Sequence, residues 1–221
     1  MEIVKIENYI PEDHQEVNRI YDEGIKEHVK TAIPIGLKHP RIQTFLGFAF
    51  GFGCYHSWAC AVLYLVCALL MQSFCVFACF YGYVWFLAPD MKDTKLKFWT
   101  TKPNVFLVAK MNGTVVGCGS YQQIGPETVE MNRIAVDSNR RGQRIGRKLV
   151  EALNNTAKSE GYTTMYVETS NAQIDATKMY EKMGFAWLRP TGWFGPDWLS
   201  FLVFSHFSGL YSSAYIRRLR L

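Results

Sequence analysis

Forty-eight consecutive residues, 42–89, contain no Asp, Glu, Lys or Arg. As one helix that run would span about 72 Å at 1.5 Å per residue, against about 30 Å for the hydrocarbon core of a bilayer. Two crossings joined by a tight turn, or a deep re-entrant hairpin, fit the length; a buried helical pair in a soluble protein is the alternative. No Asn-Gly or Pro-Gly pair marks the turn, and His56-Ser57 and Gln72-Ser73 are the polar interruptions. Other absences narrow the chemistry. There is no GxxxxGK[ST], no GxSxG and no HExxH, and Gly117-Cys118-Gly119 lacks the third glycine of GxGxxG. The five histidines are scattered and no CxxC occurs, which argues against a metal site or a histidine-based reaction. Five of the six cysteines (54, 60, 67, 75 and 79) lie in the uncharged run, so they read as small apolar residues rather than a disulfide framework. The basic residues are not interleaved with an aromatic platform, so no nucleic-acid partner is expected. Residues 1–16 alternate charged and apolar side chains, and no cleavable signal peptide is expected there.

The charge sits on either side of the run. Residues 1–41 hold 6 Lys+Arg and 8 Asp+Glu, a net charge of −2; residues 90–221 hold 18 and 11, a net +7. That basic excess favours a polyanionic ligand or a membrane surface. Lys38, His39 and Arg41 precede the run and Lys92, Lys95 and Lys97 follow it, which puts both ends on the cytoplasmic side. EIVKIENYI alternates like a strand, and Val17, Ile20, Tyr21 and Ile25 then fall at helical spacing behind Pro11 and Glu12. Beyond the run, two β-rich stretches flank Asn112-Gly113, a hairpin signal. TVEMNRIAV is a third strand. Ile145, Leu149, Leu153 and Ala157 share the face of a helix that Gly161 ends, YTTMYVET is a strand, and Ala176, Met179, Tyr180 and Met183 mark a helix stopped by Gly184. WLSFLVFSHF reads as a final buried strand. The expected organisation is α/β (α+β): residues 1–41 as the first strand and helix, 42–89 as the hydrophobic hairpin, and 90–221 as the main domain.

Between the third strand and the helix after it lies RRGQRIG. The strand ends at Val136, and the helix begins between Gly142 and Ile145. Free N–H groups and the helix dipole at such a start favour an anion. Gly142 and Gly146 permit close approach, and Arg140, Arg141 and Arg144 add charge. The loop reads as a pyrophosphate cradle, with a solvated basic turn as the alternative. RGQRIG resembles the [QR]-x-x-G-x-[GA] signature of the GCN5-related N-acetyltransferases. ATKMYEKMGF, about 35 residues downstream, resembles their A-x-x-[LM]-Y-x-x-x-G-F signature. Arg144 departs from the first, standing where Gly is most frequent. With the apolar insert after the first helix, IYDEGIKEHV, LKHPR, DMKD and VDSNRRGQ resemble the camello-like, family-eight members of that superfamily.

The resemblance implies a mixed central sheet flanked by helices, with a membrane-inserted helical hairpin. It implies acetyl transfer from acetyl-CoA by direct attack of an amine, with no metal and no acyl-enzyme, so Cys118 needs no catalytic role. The pyrophosphate would fall to Arg141, Gly142, Gln143, Arg144, Ile145 and Gly146. The pantetheine arm would fall to the backbone of Ile134, Ala135 and Val136, with Asn171 a candidate for its amides. Tyr180, placed by the second signature, would protonate the CoA sulfur; a core tyrosine is the alternative. Regular alternation puts Glu130 on one face with Asn132, Ile134 and Val136, where its carboxylate could take the amine proton through a water. A structural Glu paired with a neighbouring Lys or Arg is the alternative there. The implied acceptor is a small amine bearing a carboxylate, of the aspartate or cysteine S-conjugate type. Protein lysine is the rival acceptor, and a non-catalytic membrane scaffold the rival function. The implied location is the endoplasmic-reticulum membrane, with the catalytic domain facing the cytoplasm and the lipid bilayer as a partner.

Overall fold

A computed structural model of the chain describes residues 3–82, 101–191 and 212–219. Strand β1 (Lys5–Asn8) leads through a 3-10 turn, Pro11–Asp13, into helix α1 (His14–Lys38). Helices α2 (Pro40–His56) and α3 (Trp58–Gly82) follow. Then come β2 (Val105–Met111), β3 (Thr114–Gln123), β4 (Thr128–Val136), α4 (Ile145–Ser159), β5 (Thr164–Ser170), α5 (Ile174–Lys182), β6 (Ala186–Thr191) and β7 (Ser212–Arg218). The strands form one sheet in the order β1-β2-β3-β4-β5-β7-β6. Every neighbouring pair is antiparallel except β4 and β5, which are parallel. Asn112 (φ 51°) and Gly113 (φ 82°) make the β2–β3 turn, with the positive φ at both positions that a type I′ hairpin requires. Gly161 and Gly184, also at positive φ, end α4 and α5 where the sequence placed their stops.

Each face of the sheet buries a separate core. On one, Ile145, Leu149, Val150 and Leu153 of α4 and Tyr180 and Met183 of α5 pack on Val129, Met131, Met165, Val167 and Tyr215. On the other, Val17, Ile20, Tyr21 and Ile25 of α1 pack on Phe106, Val108, Val115 and Cys118. Fully buried side chains such as Val17, Leu149 and Leu153 each contribute about 1.5–3 kcal/mol over leaving them exposed. Helix α1 continues through Pro34, whose missing N–H removes a helix hydrogen bond. Tertiary packing carries it on: Ala32, Ile33 and Ile35 join the same cluster as Val76 of α3.

Helices α2 and α3 form the hairpin read from the uncharged run. The break is at Ser57, which is extended (φ −172°, ψ 164°). Gly53 lies so close to the returning helix that a Cβ there would be 2.4 Å from Ala61 Cα. Gln72-Ser73 does not interrupt α3, because the Ser73 hydroxyl donates back to the Leu69 carbonyl at 2.9 Å. Trp58–Ala78 is long and apolar enough to cross a membrane and is only 22% buried. Helix α2, 17 residues and about 25 Å long, falls short of the hydrocarbon thickness. Phe48, Phe52, Tyr55, Trp58, Leu70 and Phe74 all point outward.

The expected strand WLSFLVFSHF lies outside the described residues, and the described sheet ends on two strands the sequence reading did not name, β6 and β7. Neither announces itself in the sequence: β6 (AWLRPT) carries a proline and a bulge, and β7 (SSAYIRR) is too polar for a buried-strand pattern.

Candidate active site

Strands β4 and β5 pair only from Thr128↔Thr164 to Met131↔Val167. Past that point β4 runs on to Val136 and β5 to Ser170 without pairing, so the two part and one backbone edge of β4 is left open. The cause lies within β4. Arg133 is in the left-handed region (φ 58°). Against β3 the register steps from Ser120↔Asn132 to Cys118↔Ala135, so Gly119 faces two residues, Arg133 and Ile134. This β-bulge bends the strand. Gly117 and Gly119 make room for it: a Cβ at Gly119 would be 2.4 Å from Ile134 Cδ1, and one at Gly117 3.0 Å from the Ala135 carbonyl. Helix α1 holds the bulge, with Tyr21 Oη accepting from Arg133 Nη1 at 3.1 Å and the guanidinium 5.4 Å from the ring centre.

The bulge overturns the regular alternation expected along β4. Ile134 and Val136 pack in the same core as Val129 and Met131, whereas Ala135 joins the α1 side. Glu130 and Asn132 therefore face α1's side of the sheet, opposite Ile134 and Val136 rather than beside them.

The loop after β4 is anchored at both ends from α1. Arg19 donates to Asp137 at 2.9 Å, and Asp137 in turn accepts from the Asn139 N–H at 2.9 Å. Eight residues along α1, two turns on, Glu27 pairs with Arg141 at 2.6 Å. The Arg19 hydrogen bond holds the Asp137 carboxyl below the usual carboxylate range. Burial, and then the Arg141 charge, lower His28 beside the same pair. Gly142 (φ 77°) and Arg144 (φ 62°) turn the chain into α4. The N–H groups of Gln143, Arg144, Ile145 and Gly146 find no acceptor among the described residues. At Gly146 a Cβ would meet Met179 Sδ at 3.4 Å and Val136 Cγ2 at 3.6 Å, so a small residue lets α4, α5 and β4 converge. Tyr21 and Glu27 lie in the IYDEGIKEHV segment, but the sequence reading gave none of the long-range anchors, Arg19, Tyr21 or Glu27, a role at this loop.

Glu130 sits opposite Tyr166 in register, half-buried, and accepts from Gln122 Nε2 at 2.7 Å. Its partner is this neutral amide, and it forms no ion pair with a described Lys or Arg. Tyr180 is 4% exposed and tilted against Phe185 at 5.5 Å between ring centres, and its hydroxyl bonds to no described residue. Burial raises its hydroxyl well above the ordinary tyrosine value, so it stays protonated at neutral pH. It belongs to the core and still follows directly on Met179, the residue that meets Gly146. Asn171 lies half-buried in the turn after β5, at the open end of the cleft. Cys118 is buried, donates to the Arg133 carbonyl at 3.4 Å, and is pushed up by burial to about 12, which removes it as a nucleophile.

Comparison with known proteins agrees with this geometry. The pattern of the acetyltransferase (GNAT) family matches residues 73–185. A probable N-acetyltransferase camello of Xenopus tropicalis is 31% identical over 187 residues, covering 82% of this chain and 85% of that one. The N-acetylaspartate synthetase of Danio rerio is 28% identical over 200 residues, covering 82% of this chain and 66% of that one. The crystal structure of a GNAT-family acetyltransferase from Staphylococcus aureus shares the fold over 99% of this chain and all of its own, with a TM-score of 0.58 at 15% identity. The chain therefore belongs to the GNAT family of acetyl-transferring enzymes, among camello-like N-acetyltransferases.

Proposed function

We propose that this N-acetyltransferase is membrane-anchored and acetylates a small amine bearing a carboxylate, with acetyl-CoA as donor. One observation carries the reading: four N–H groups with no acceptor among the described residues open α4, at the end of a strand whose edge no described strand pairs past Met131. Arg141, Gly142, Gln143, Arg144, Ile145 and Gly146 suit a pyrophosphate. The backbone of Ile134, Ala135 and Val136 suits the amides of a pantetheine arm laid alongside as an added strand, with Asn171 across the cleft. An arm running back from the loop along β4 brings its thioester to the level of Asn132, where the strands part.

Acetyl-CoA supplies the activated carbonyl. Glu130, through a water, takes the proton of the amine as its nitrogen bonds to that carbonyl carbon. Tyr180 gives its proton to the sulfur as the C–S bond breaks; burial keeps its hydroxyl in the protonated form that this role requires. Helices α2 and α3 place the enzyme at a bilayer, their outward aromatic residues against lipid. Because β1 and β2 pair in one sheet, both ends of the insert lie on one side of that bilayer; the basic flanks put that side in the cytoplasm, at the endoplasmic reticulum. The net +7 of residues 90–221 favours a carboxylate acceptor over a lysine-rich peptide, and a relative that makes N-acetylaspartate supports an amino-acid acceptor. The test is a competition among aspartate, a cysteine S-conjugate and a lysine peptide at equal concentration, with kcat/KM measured for each. Clear preference for the peptide overturns the acceptor and leaves the fold untouched.

A further inference from the structure

The sheet face that carries Glu130 extends onto β5, β7 and β6 and bears a polar row that the steps above do not use. On β5, Tyr166 and Glu168 share this face, because Met165 and Val167 fill the core on the other. Tyr166 is the direct register partner of Glu130, and Glu168 is the first β5 residue past the last β4–β5 pair. On β6, Trp187 pairs with Tyr215 and Arg189 with Ala214, leaving Leu188 as the extra residue of a bulge. Tyr215 points into the α4–α5 core, so regular alternation would send Arg189 there after Trp187. The bulge instead turns Arg189 to the side of Tyr166 and Glu168, a re-aiming of a side chain that bulges commonly provide.

Ala214 is the register partner of both Glu168 and Arg189, which places these two strand spacings apart, about 10 Å between Cα atoms, with only a methyl group between them. Tyr166 Oη donates to Glu168 Oε1 at 2.6 Å, and the Arg189 guanidinium approaches the same hydroxyl. Glu168 and Arg189 are both exposed, and neither forms an ion pair with a described residue. A carboxylate and a guanidinium are thus held near each other around one hydroxyl without neutralising each other, at the mouth of the cleft.

We infer that Glu168, Tyr166 and Arg189 recognise the acceptor as a free amino acid, Glu168 taking its ammonium and Arg189 its α-carboxylate. The inference rests on the acetyl-transfer reading of the same site. In a free amino acid the two charges are neighbours, as they are in this row; a lysine side chain within a peptide brings an ammonium without a nearby carboxylate. An amine held at Glu168 lies close to Glu130, one register row away, which takes its proton.

The experiment uses the full chain in detergent with labelled acetyl-CoA. Its acceptors are L-aspartate and S-benzyl-L-cysteine, each compared with its α-carboxamide. The wild type acetylates at least one acid with kcat/KM tenfold or more above its amide. Arg189→Gln raises the acid's KM tenfold or more and erases the acid–amide difference, while the KM for acetyl-CoA is unchanged. Arg189→Lys recovers part of the loss, and Glu168→Gln raises KM for acid and amide alike. An acid–amide preference that survives Arg189→Gln overturns the inference. So does a wild-type enzyme that binds acetyl-CoA and acetylates amides as well as acids, or acetylates neither. A chain that does not bind acetyl-CoA brings down the acetyl-transfer reading first, and this inference with it.

Discussion

Arg144→Gly makes the protein more stable while slightly weakening acetyl-CoA binding. Arg144 holds φ at 62° where it caps α4. An L-residue in that left-handed region costs roughly 1–2 kcal/mol through the clash of Cβ with the following carbonyl oxygen. Glycine escapes this clash but gives the unfolded chain more freedom, a loss of roughly 0.5–1 kcal/mol. The net gain is about 0.5–1 kcal/mol, which for a chain of this size raises the melting temperature by roughly 1–4 °C. The same change removes an exposed positive charge from the cradle, worth roughly 0.5–1 kcal/mol, or about two- to fivefold in affinity. Arg144→Ala separates the two effects, since it loses the charge and keeps the strain. Thermal unfolding of the full chain in detergent, with calorimetric titration of acetyl-CoA, measures both. Equal melting temperatures for the Gly and Ala variants refute the strain argument; unchanged affinity in both removes Arg144 from the cradle.

Tyr180→Phe lowers kcat at least tenfold and leaves acetyl-CoA affinity within twofold, because only the proton donor is lost. Glu130→Gln depresses turnover most at low pH, where the amine most needs deprotonating; a pH–rate profile parallel to wild type removes Glu130 from that role. Arg19→Met destabilises the fold at neutral pH. Asp137 has its folded pKa depressed by Arg19, so the stability from this pair is present above the unfolded carboxylate range and is lost as pH falls through the folded value. Wild-type and Arg19→Met unfolding curves should converge at acid pH, and a gap that widens there contradicts the sign. Protease protection of tags on the two termini should place both in the cytoplasm. Termini on opposite sides refute the hairpin, and both in the lumen refute its orientation.

What was legible in the sequence was local. The Asn112-Gly113 hairpin, the glycine stops at Gly161 and Gly184, and the amphipathic face of α4 depend on neighbouring residues and were readable. So was the turn at Ser57, as one of two candidates. The bulge at Arg133 was not: it breaks the period on which face assignment rests, and its enabling glycines, Gly117 and Gly119, sit on another strand. The bulge at Leu188 hides Arg189 in the same way. The contacts from Arg19 and Glu27 to the loop join residues more than 110 positions apart, and pairwise contact at that range has no periodic signature. The glycine-bearing turn into α4 was readable because small residues and a helix start follow one another in sequence order. The row of Tyr166, Glu168 and Arg189 was not, because it joins β5 to β6 across β7.

The most direct test of the account is calorimetric titration of acetyl-CoA into the purified full chain, alongside Gly146→Ala and Gly146→Glu. An Ala Cβ at position 146 meets Met179 and Val136 at 3.4 and 3.6 Å, ordinary contact, whereas a Glu adds bulk and a negative charge beside the unpaired amides. Circular dichroism confirms that each variant is folded. The account predicts one saturable site in the wild type and in Gly146→Ala, and no binding in folded Gly146→Glu. A wild type that does not bind, or a folded Gly146→Glu that binds as tightly as wild type, contradicts it.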